Sequence, residues 1–261
     1  MTRGVVLGRV GNTPSMTESL IWISGASGGI GQALAHTIPW GSSRVIGISR
    51  TPLEGLDHLE ADLSDPVSWP AVDASFRKEL QGFTGERVVF VHAAGTLDPM
   101  GFVGEVDTDT YARNVILNSA SPQVLGHMFV AAVRDVPAAR HLVMLTSGAA
   151  KSVYPGWSSY GAAKAAVDQW VRNVGAEQSS RGGVHVMAIA PGTVDTGMQA
   201  LLRQTSADDF PSRQKFVDLH AAGKLSDPDA VARDIWGLLD RDLENGSVVD
   251  LRDLAKSAPG S

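Results

Sequence analysis

A chain of 261 residues, 43% hydrophobic and 19% charged, carries enough apolar side chains for one α/β domain with a sizeable core. Its formal net charge of -6 offers no basic footprint for nucleic acid or an anionic membrane. No apolar run approaches the roughly 20 residues that span a bilayer, and the lack of cysteine excludes disulfides, thiolate catalysis and cysteine metal sites.

Residues 1–18 read as a flexible extension and 19–255 as a single catalytic domain. MTRGVVLGRVGNTPS has no long apolar core and does not read as a signal peptide, so a cytoplasmic protein is expected. The first strand is expected at 20–24 (LIWIS). It runs into GASGGIG at 25–31 and then an amphipathic helix at 32–38. Strand, glycine turn and helix form the first unit of a dinucleotide-binding fold: glycines let the backbone turn tightly against a pyrophosphate, and the helix N-terminus supplies amides. Gly25, Gly29 and Gly31 give the spacing G-x-x-x-G-x-G.

A second strand at 44–49 ends in Ser49-Arg50. An acid at its end would bond the adenosine ribose and select NAD. A guanidinium at Arg50 can instead bind a 2′-phosphate through two hydrogen bonds, so NADP(H) is the expected cofactor. The third strand is expected at 59–63, with Asp62 placed to accept from the adenine amino group. Ser64-Asp65-Pro66 starts a helix over 67–81 with Val67, Val72, Phe76 and Leu80 on one face. The fourth strand, 87–91, ends in His92-Ala93-Ala94-Gly95, where small residues would let a flat ring system approach. His92 has no partner histidine at ligand spacing, so no metal is expected. A long helix over 107–135 should bend at Pro122, freeing backbone carbonyls that can bind water.

After a fifth strand at 141–145 comes SGAAKSVYPGWSSYGAAK, residues 147–164. Tyr160 and Lys164 are one helical turn apart and share a face. An ammonium beside a phenol should lower its pKa from roughly 10, and a phenol so tuned can exchange a proton near neutral pH. Ser147, at the strand end, could hold a carbonyl oxygen. The helix should run to about residue 180 and stop at Gly182-Gly183. A sixth strand at 184–190 is broken by Pro191-Gly192, and 193–210 reads as a lid over a pocket. A helix at 229–239 and a last strand at 247–251 follow. Strands alternate with helices throughout, so the expected fold is a Rossmann-type, doubly wound parallel sheet of about seven strands with helices on both faces. Met100, Phe102, Tyr154, Trp157 and Met198, on loops at the strand carboxyl ends, are the candidate substrate pocket; they suit an apolar or aromatic substrate.

SGASGGIG, HAAG, Asn118, Ser147, YGAAK and PGTVDT, in that order, resemble the short-chain dehydrogenase/reductase family. GTLDPM, SGAAKSVYPGWSSY and PGTVDTGMQA resemble its (S)-benzil reductases and the related sepiapterin reductases. The resemblance implies Tyr160 as general acid in carbonyl reduction, Lys164 lowering its pKa and bonding the nicotinamide ribose, and Ser147 orienting the carbonyl. Asn118, rather than Asn114, would hold a water linking Lys164 to solvent. Gly25, Ser27, Gly29 and Ile30 would line the pyrophosphate and adenosine, Asp62 and Leu63 the adenine, and Ala94 and Gly95 the ribose. Pro191, Gly192, Val194 and Thr196 would hold the nicotinamide. A homodimer or homotetramer built through the long helices is also implied. Three positions depart from the family's pattern: Ser24 stands for a threonine, His92-Ala93 for paired asparagines, and SVVDLRDL for a glycine-rich segment. Other carbonyl classes (a pteridine side chain, a 3-oxoacyl thioester, a sugar) stay open, as does an NADP-binding sensor without catalysis.

Overall fold

The computed structural model describes residues 18–257. Of the extension expected at 1–18, only Glu18 falls among them; the rest lies outside the described residues. Seven strands form one parallel sheet: β1 (Ser19–Ser24), β2 (Ser43–Ser49), β3 (Asp57–Glu60), β4 (Arg87–His92), β5 (Ala139–Leu145), β6 (His185–Ala190) and β7 (Val248–Asp250). The helices are α1 (Gly29–His36), α2 (Trp69–Glu79), α3 (Thr108–Val115), α4 (Ser121–Ala132), α5 (Ser158–Ser179), α6 (Gly197–Gln204), α7 (Arg213–Ala221), α8 (Pro228–Leu238) and α9 (Leu251–Ser257).

The order across the sheet is β3-β2-β1-β4-β5-β6-β7. The chain steps outward from β1 to β3 and returns to the other side of β1 with β4, which opens a crevice beyond the carboxyl ends of β1 and β4. Successive side chains along these strands take opposite faces. Trp22 and Phe90 enter one core with Phe76 and Phe129; Ile21, Ile23, Val89 and Val91 enter the other with Leu34 and Ile235. Both faces being covered explains why the central strands read as near-continuous apolar runs. Phe76 stands edge-on to Trp22, Phe90 and Phe129 at ring separations of 5.1, 5.1 and 5.4 Å. Each such pair adds about 0.5–1.5 kcal/mol to simple burial.

Three expectations need correction, and a fourth gains detail. The third strand ends at Glu60, not 63: Ala61 still donates to Ser49, but Asp62 then folds its carboxylate onto the Ser64 amide and hydroxyl and turns the chain. Val67 lies in a short 3-10 turn ahead of α2 and is 83% exposed, so the buried face of that helix is carried by Val72 and Phe76. The long helix is interrupted upstream of its proline, by a π-helical turn over Ile116–Ala120. Pro122 has no N–H to give the carbonyl of Asn118 four residues back, so the register slips there. The 193–210 segment contains α6, whose Leu202 packs with Trp157, Phe210 and Phe216.

Candidate active site

The crevice begins at the glycine turn. Gly25 adopts φ +68°, and a Cβ there would sit 2.9 Å from the Ala94 backbone; a Cβ on Gly31 would sit 2.3 Å from the Gly25 carbonyl. The turn therefore closes only with glycines, and it brings the start of α1 against the end of β4. The Ser24 hydroxyl fixes this junction by accepting from the amides of Ala93 and Ala94 at 3.0 and 3.1 Å, so serine keeps the hydroxyl that the family's threonine supplies. Beyond it lies a cavity of about 620 Å³. Gly25, Ser27, Gly29, Ile30, Asp62, Leu63, Ala94 and Gly95 line it, together with the exposed Arg50. Open space at Gly28 and at Gly197, where an added Cβ would meet nothing within 4 Å, leaves this cradle free for an elongated phosphate-bearing group. Both Ser64 bonds to Asp62 fall on one carboxylate oxygen. They hold that carboxyl below its usual range, and the charges of Arg50 and Arg113 add to the effect. Arg113, on α3, also lines the cavity. It went unnoticed in the sequence because it lies far along the chain from every motif of the cradle.

The π-helical turn positions the next layer. Asn118 donates to the Thr96 carbonyl at 2.8 Å and accepts from the Thr96 amide at 3.1 Å. Its side chain is thus paired at both ends, and its main-chain carbonyl, which Pro122 cannot serve, is the group it can offer to a water. Asn114 instead braces the loop from below, donating to the Asp98 carbonyl at 2.6 Å. A Cβ on Gly95 would meet Asn118 Oδ1 at 2.8 Å and Lys164 Nζ at 3.8 Å, so the lack of a side chain there lets both groups approach the same glycine. His92, buried, bonds Ser121 at 3.0 Å, and Ser121 donates to the Leu117 carbonyl at 2.9 Å. This pair ties β4 to the interrupted helix where the family uses asparagine. Burial, helped by the Lys164 charge, pushes His92 down to about 3, so it is neutral.

Ser147, Tyr160 and Lys164 converge on a second cavity of about 190 Å³. It shares Ile30, Gly95, Leu145 and Thr196 with the larger one, so the two are continuous. Pro191, Gly192 and Val194 line it at the end of β6. The phenol of Tyr160 is buried and shares this cavity with the Ser147 hydroxyl. Burial raises its pKa above the ordinary value and the Ser147 hydroxyl opposes the rise. The expected lowering by Lys164 is therefore overturned: burial outweighs it, and Lys164 is not among the groups that shift the phenol. Nζ lies 5.7 Å from the Tyr160 ring centroid and donates to the Leu145 carbonyl at 2.9 Å. Burial drives Lys164 itself down to about 8, partly offset by the carboxylate of Asp168 one turn along α5.

Of the candidate pocket residues, Tyr154, Trp157 and Met198 line the small cavity. Trp157 stacks on Phe210 at 4.5 Å and packs against Tyr154 at 5.1 Å. Met100 packs behind this cluster, with its sulfur accepting from Thr205 at 3.5 Å, and does not line the cavity. Phe102 is 40% exposed and borders a separate surface groove. The sequence assigned both to the right loop but could not say which side of it they face. Leu202, Phe216 and Arg252 line the cavity and were not foreseen.

Among the described residues no helix is long and apolar enough to cross a membrane. The sequence profile of the family described as short chain dehydrogenase matches residues 19–207. A benzil reductase ((S)-benzoin forming) of Bacillus subtilis is 32% identical over 237 residues, covering 88% of this chain and 97% of the relative. Sepiapterin reductase of Bos taurus is 30% identical over 270 residues, covering 94% and 99%. A crystal structure of a Saccharomyces cerevisiae short chain dehydrogenase/reductase superposes with a TM-score of 0.79 at 21% identity, covering 92% and 98%.

Proposed function

The chain belongs to the short-chain dehydrogenase/reductase family, and we propose that it is an NADPH-dependent carbonyl reductase acting on ketones or 1,2-diketones such as benzil. As a family member it is an oxidoreductase of carbonyl and alcohol groups. The observation that carries the finer reading is the convergence of Ser147, Tyr160 and Lys164 on one cavity that continues into the glycine cradle. Gly25, Ser27, Gly29 and Ile30 would hold the pyrophosphate, Asp62 and Leu63 the adenine, Ala94 and Gly95 the ribose, and Pro191, Gly192, Val194 and Thr196 the nicotinamide.

NADPH held there would supply the hydride for the carbonyl carbon. Tyr160 gives its phenolic proton to the carbonyl oxygen as negative charge develops there, and the Ser147 hydroxyl donates to the same oxygen. A phenol raised by burial stays protonated through neutral pH, which suits an acid. Lys164, at about 8, can take up and release a proton in the working range and return one to the phenolate; the Asn118 carbonyl would hold the water that links it to solvent. The aromatic wall of Tyr154, Trp157 and Phe216, together with the relatives named benzil reductase, supports an apolar or aromatic substrate.

NADPH oxidation followed with a panel of ketones tests this reading, with turnover of 1,2-diketones as the expected result. Tight NADPH binding without turnover of any carbonyl compound would favour a sensor instead. The cofactor preference has its own test. Arg50→Ala is expected to weaken NADPH binding by about tenfold, the scale of one charge-assisted contact, and to leave NADH nearly unaffected. Equal losses for the two cofactors would remove Arg50 from the 2′-phosphate.

A further inference from the structure

Among the described residues that line the small cavity, none is acidic and two are charged: Lys164 and Arg252. Lys164 is committed to the catalytic centre. Arg252 follows the last strand and reaches back between the two turns that frame the reacting position. A Cβ on Gly148 would lie 3.0 Å from its Nη2, and one on Gly192 would lie 3.3 Å from its Cγ. Glycine at both places leaves the guanidinium its room beside Ser147 and the Pro191 loop. Arg252 lines this cavity and not the glycine cradle, so a pyrophosphate is not its partner.

Asp250 holds the guanidinium in a two-pronged pair, Nε to Oδ1 at 2.9 Å and Nη2 to Oδ2 at 2.5 Å. The Arg252 amide also donates to Oδ1 at 3.0 Å. A guanidinium has five N–H groups, of which this pair engages two; the Asp253 carboxylate also acts on it through its charge. The pair therefore orients the fork in advance. The side chain is 55% exposed and so accessible from the mouth. Tyr154, another lining residue, takes a hydrogen bond from Lys215 at 2.9 Å, which brings a further cation to the same wall.

We propose that Arg252 is a specificity-determining residue that binds an anionic oxygen substituent on the substrate, a carboxylate above all. The preferred ketone then has an apolar part against Trp157 and an anionic part against Arg252, with its carbonyl at Ser147 and Tyr160. This deepens the carbonyl-reductase reading and rests on it.

Benzoylformate and its neutral methyl ester test the assignment, since they share the ketone and the phenyl ring and differ in charge. The decisive variant is Asp250→Asn/Arg252→Gln, which keeps both positions polar, removes both charges and leaves no unpaired Asp250 carboxylate to repel the anion. In the wild-type enzyme, kcat/KM for the anion should exceed that for the ester. In the double variant the anion-to-ester ratio should fall at least tenfold, chiefly through KM. A smaller fall overturns the assignment, as does a loss shared equally by the two ketones. Benzoylformate binding to the NADPH complex, read by tryptophan fluorescence, separates the two layers of the argument. If neither ketone is turned over but the double variant binds benzoylformate at least tenfold more weakly, Arg252 stands and the reductase reading fails; equal binding overturns Arg252.

Discussion

Tyr160→Phe is expected to lower turnover by about 10²–10⁴-fold, the scale at which a positioned general acid contributes. The substitution removes one oxygen and leaves the ring where it is. The side chain is 7% exposed and packs edge-on to Trp157 at 5.5 Å, contacts that phenylalanine retains. The loss should therefore appear in kcat and not in the affinity for NADPH, which is expected to change by less than about twofold. Ser147 still offers a donor to the carbonyl oxygen, so the residual rate should stay above that without enzyme. Single-turnover measurement of nicotinamide absorbance isolates the hydride step from product release. A variant within tenfold of wild type in that step would mean that the proton comes from elsewhere. The pH profile supplies a second check. The reaction needs the protonated phenol, and burial raises its pKa, so ketone reduction by the wild-type enzyme should fall on the alkaline side. The phenylalanine variant should lose the part of that fall which the phenol causes.

Much of this centre was legible because its signals are local. Tyr160 and Lys164 share a helix face by spacing alone, and the central strands announce themselves as apolar runs bounded by glycine. What the sequence could not supply is environment. The phenol beside an ammonium was expected to be acidified, yet in the folded chain the ammonium turns to the Leu145 carbonyl and the phenol is desolvated. Burial depends on α6 and α7 closing over Trp157, a contact between distant segments with no trace in the spacing. Pro122 foretold an interrupted helix, but the interruption sits upstream, because a missing donor is felt at the acceptor four residues earlier. Arg252 was invisible for a related reason. The run VVDL reads as strand to its end, and only the Asp250 carboxylate accepting from the Arg252 amide shows where the chain turns back.

Lys164→Met is expected to make the protein more stable and nearly inactive. The ammonium is 6% exposed, and the folded chain moves its pKa from 10.5 down to about 8. Folding thus disfavours the charged form by about 3 kcal/mol, at roughly 1.4 kcal/mol for each tenfold change in proton affinity. Methionine fills a similar volume without the charge but gives up the hydrogen bond to Leu145, which contributes about 1 kcal/mol. The net expectation at pH 7 is a gain of about 2 kcal/mol, or about 4–8 °C in Tm for a domain of this size. The folded chain binds this proton less tightly than the unfolded chain. The charge therefore opposes folding in full below about pH 8, and its penalty fades as pH rises from about 8 towards 10.5. The stability advantage of the variant should shrink over the same window, which thermal melts of both proteins at neutral and alkaline pH would follow. Turnover should fall at least about 100-fold, since methionine can neither return a proton to the phenolate nor bond a ribose hydroxyl. A variant less stable than wild type at pH 7 would show that the site stabilises its ammonium in place. The proposed function makes the opposite demand, a buried lysine whose proton is held loosely enough to be passed on, and the fold gives up stability to keep it there.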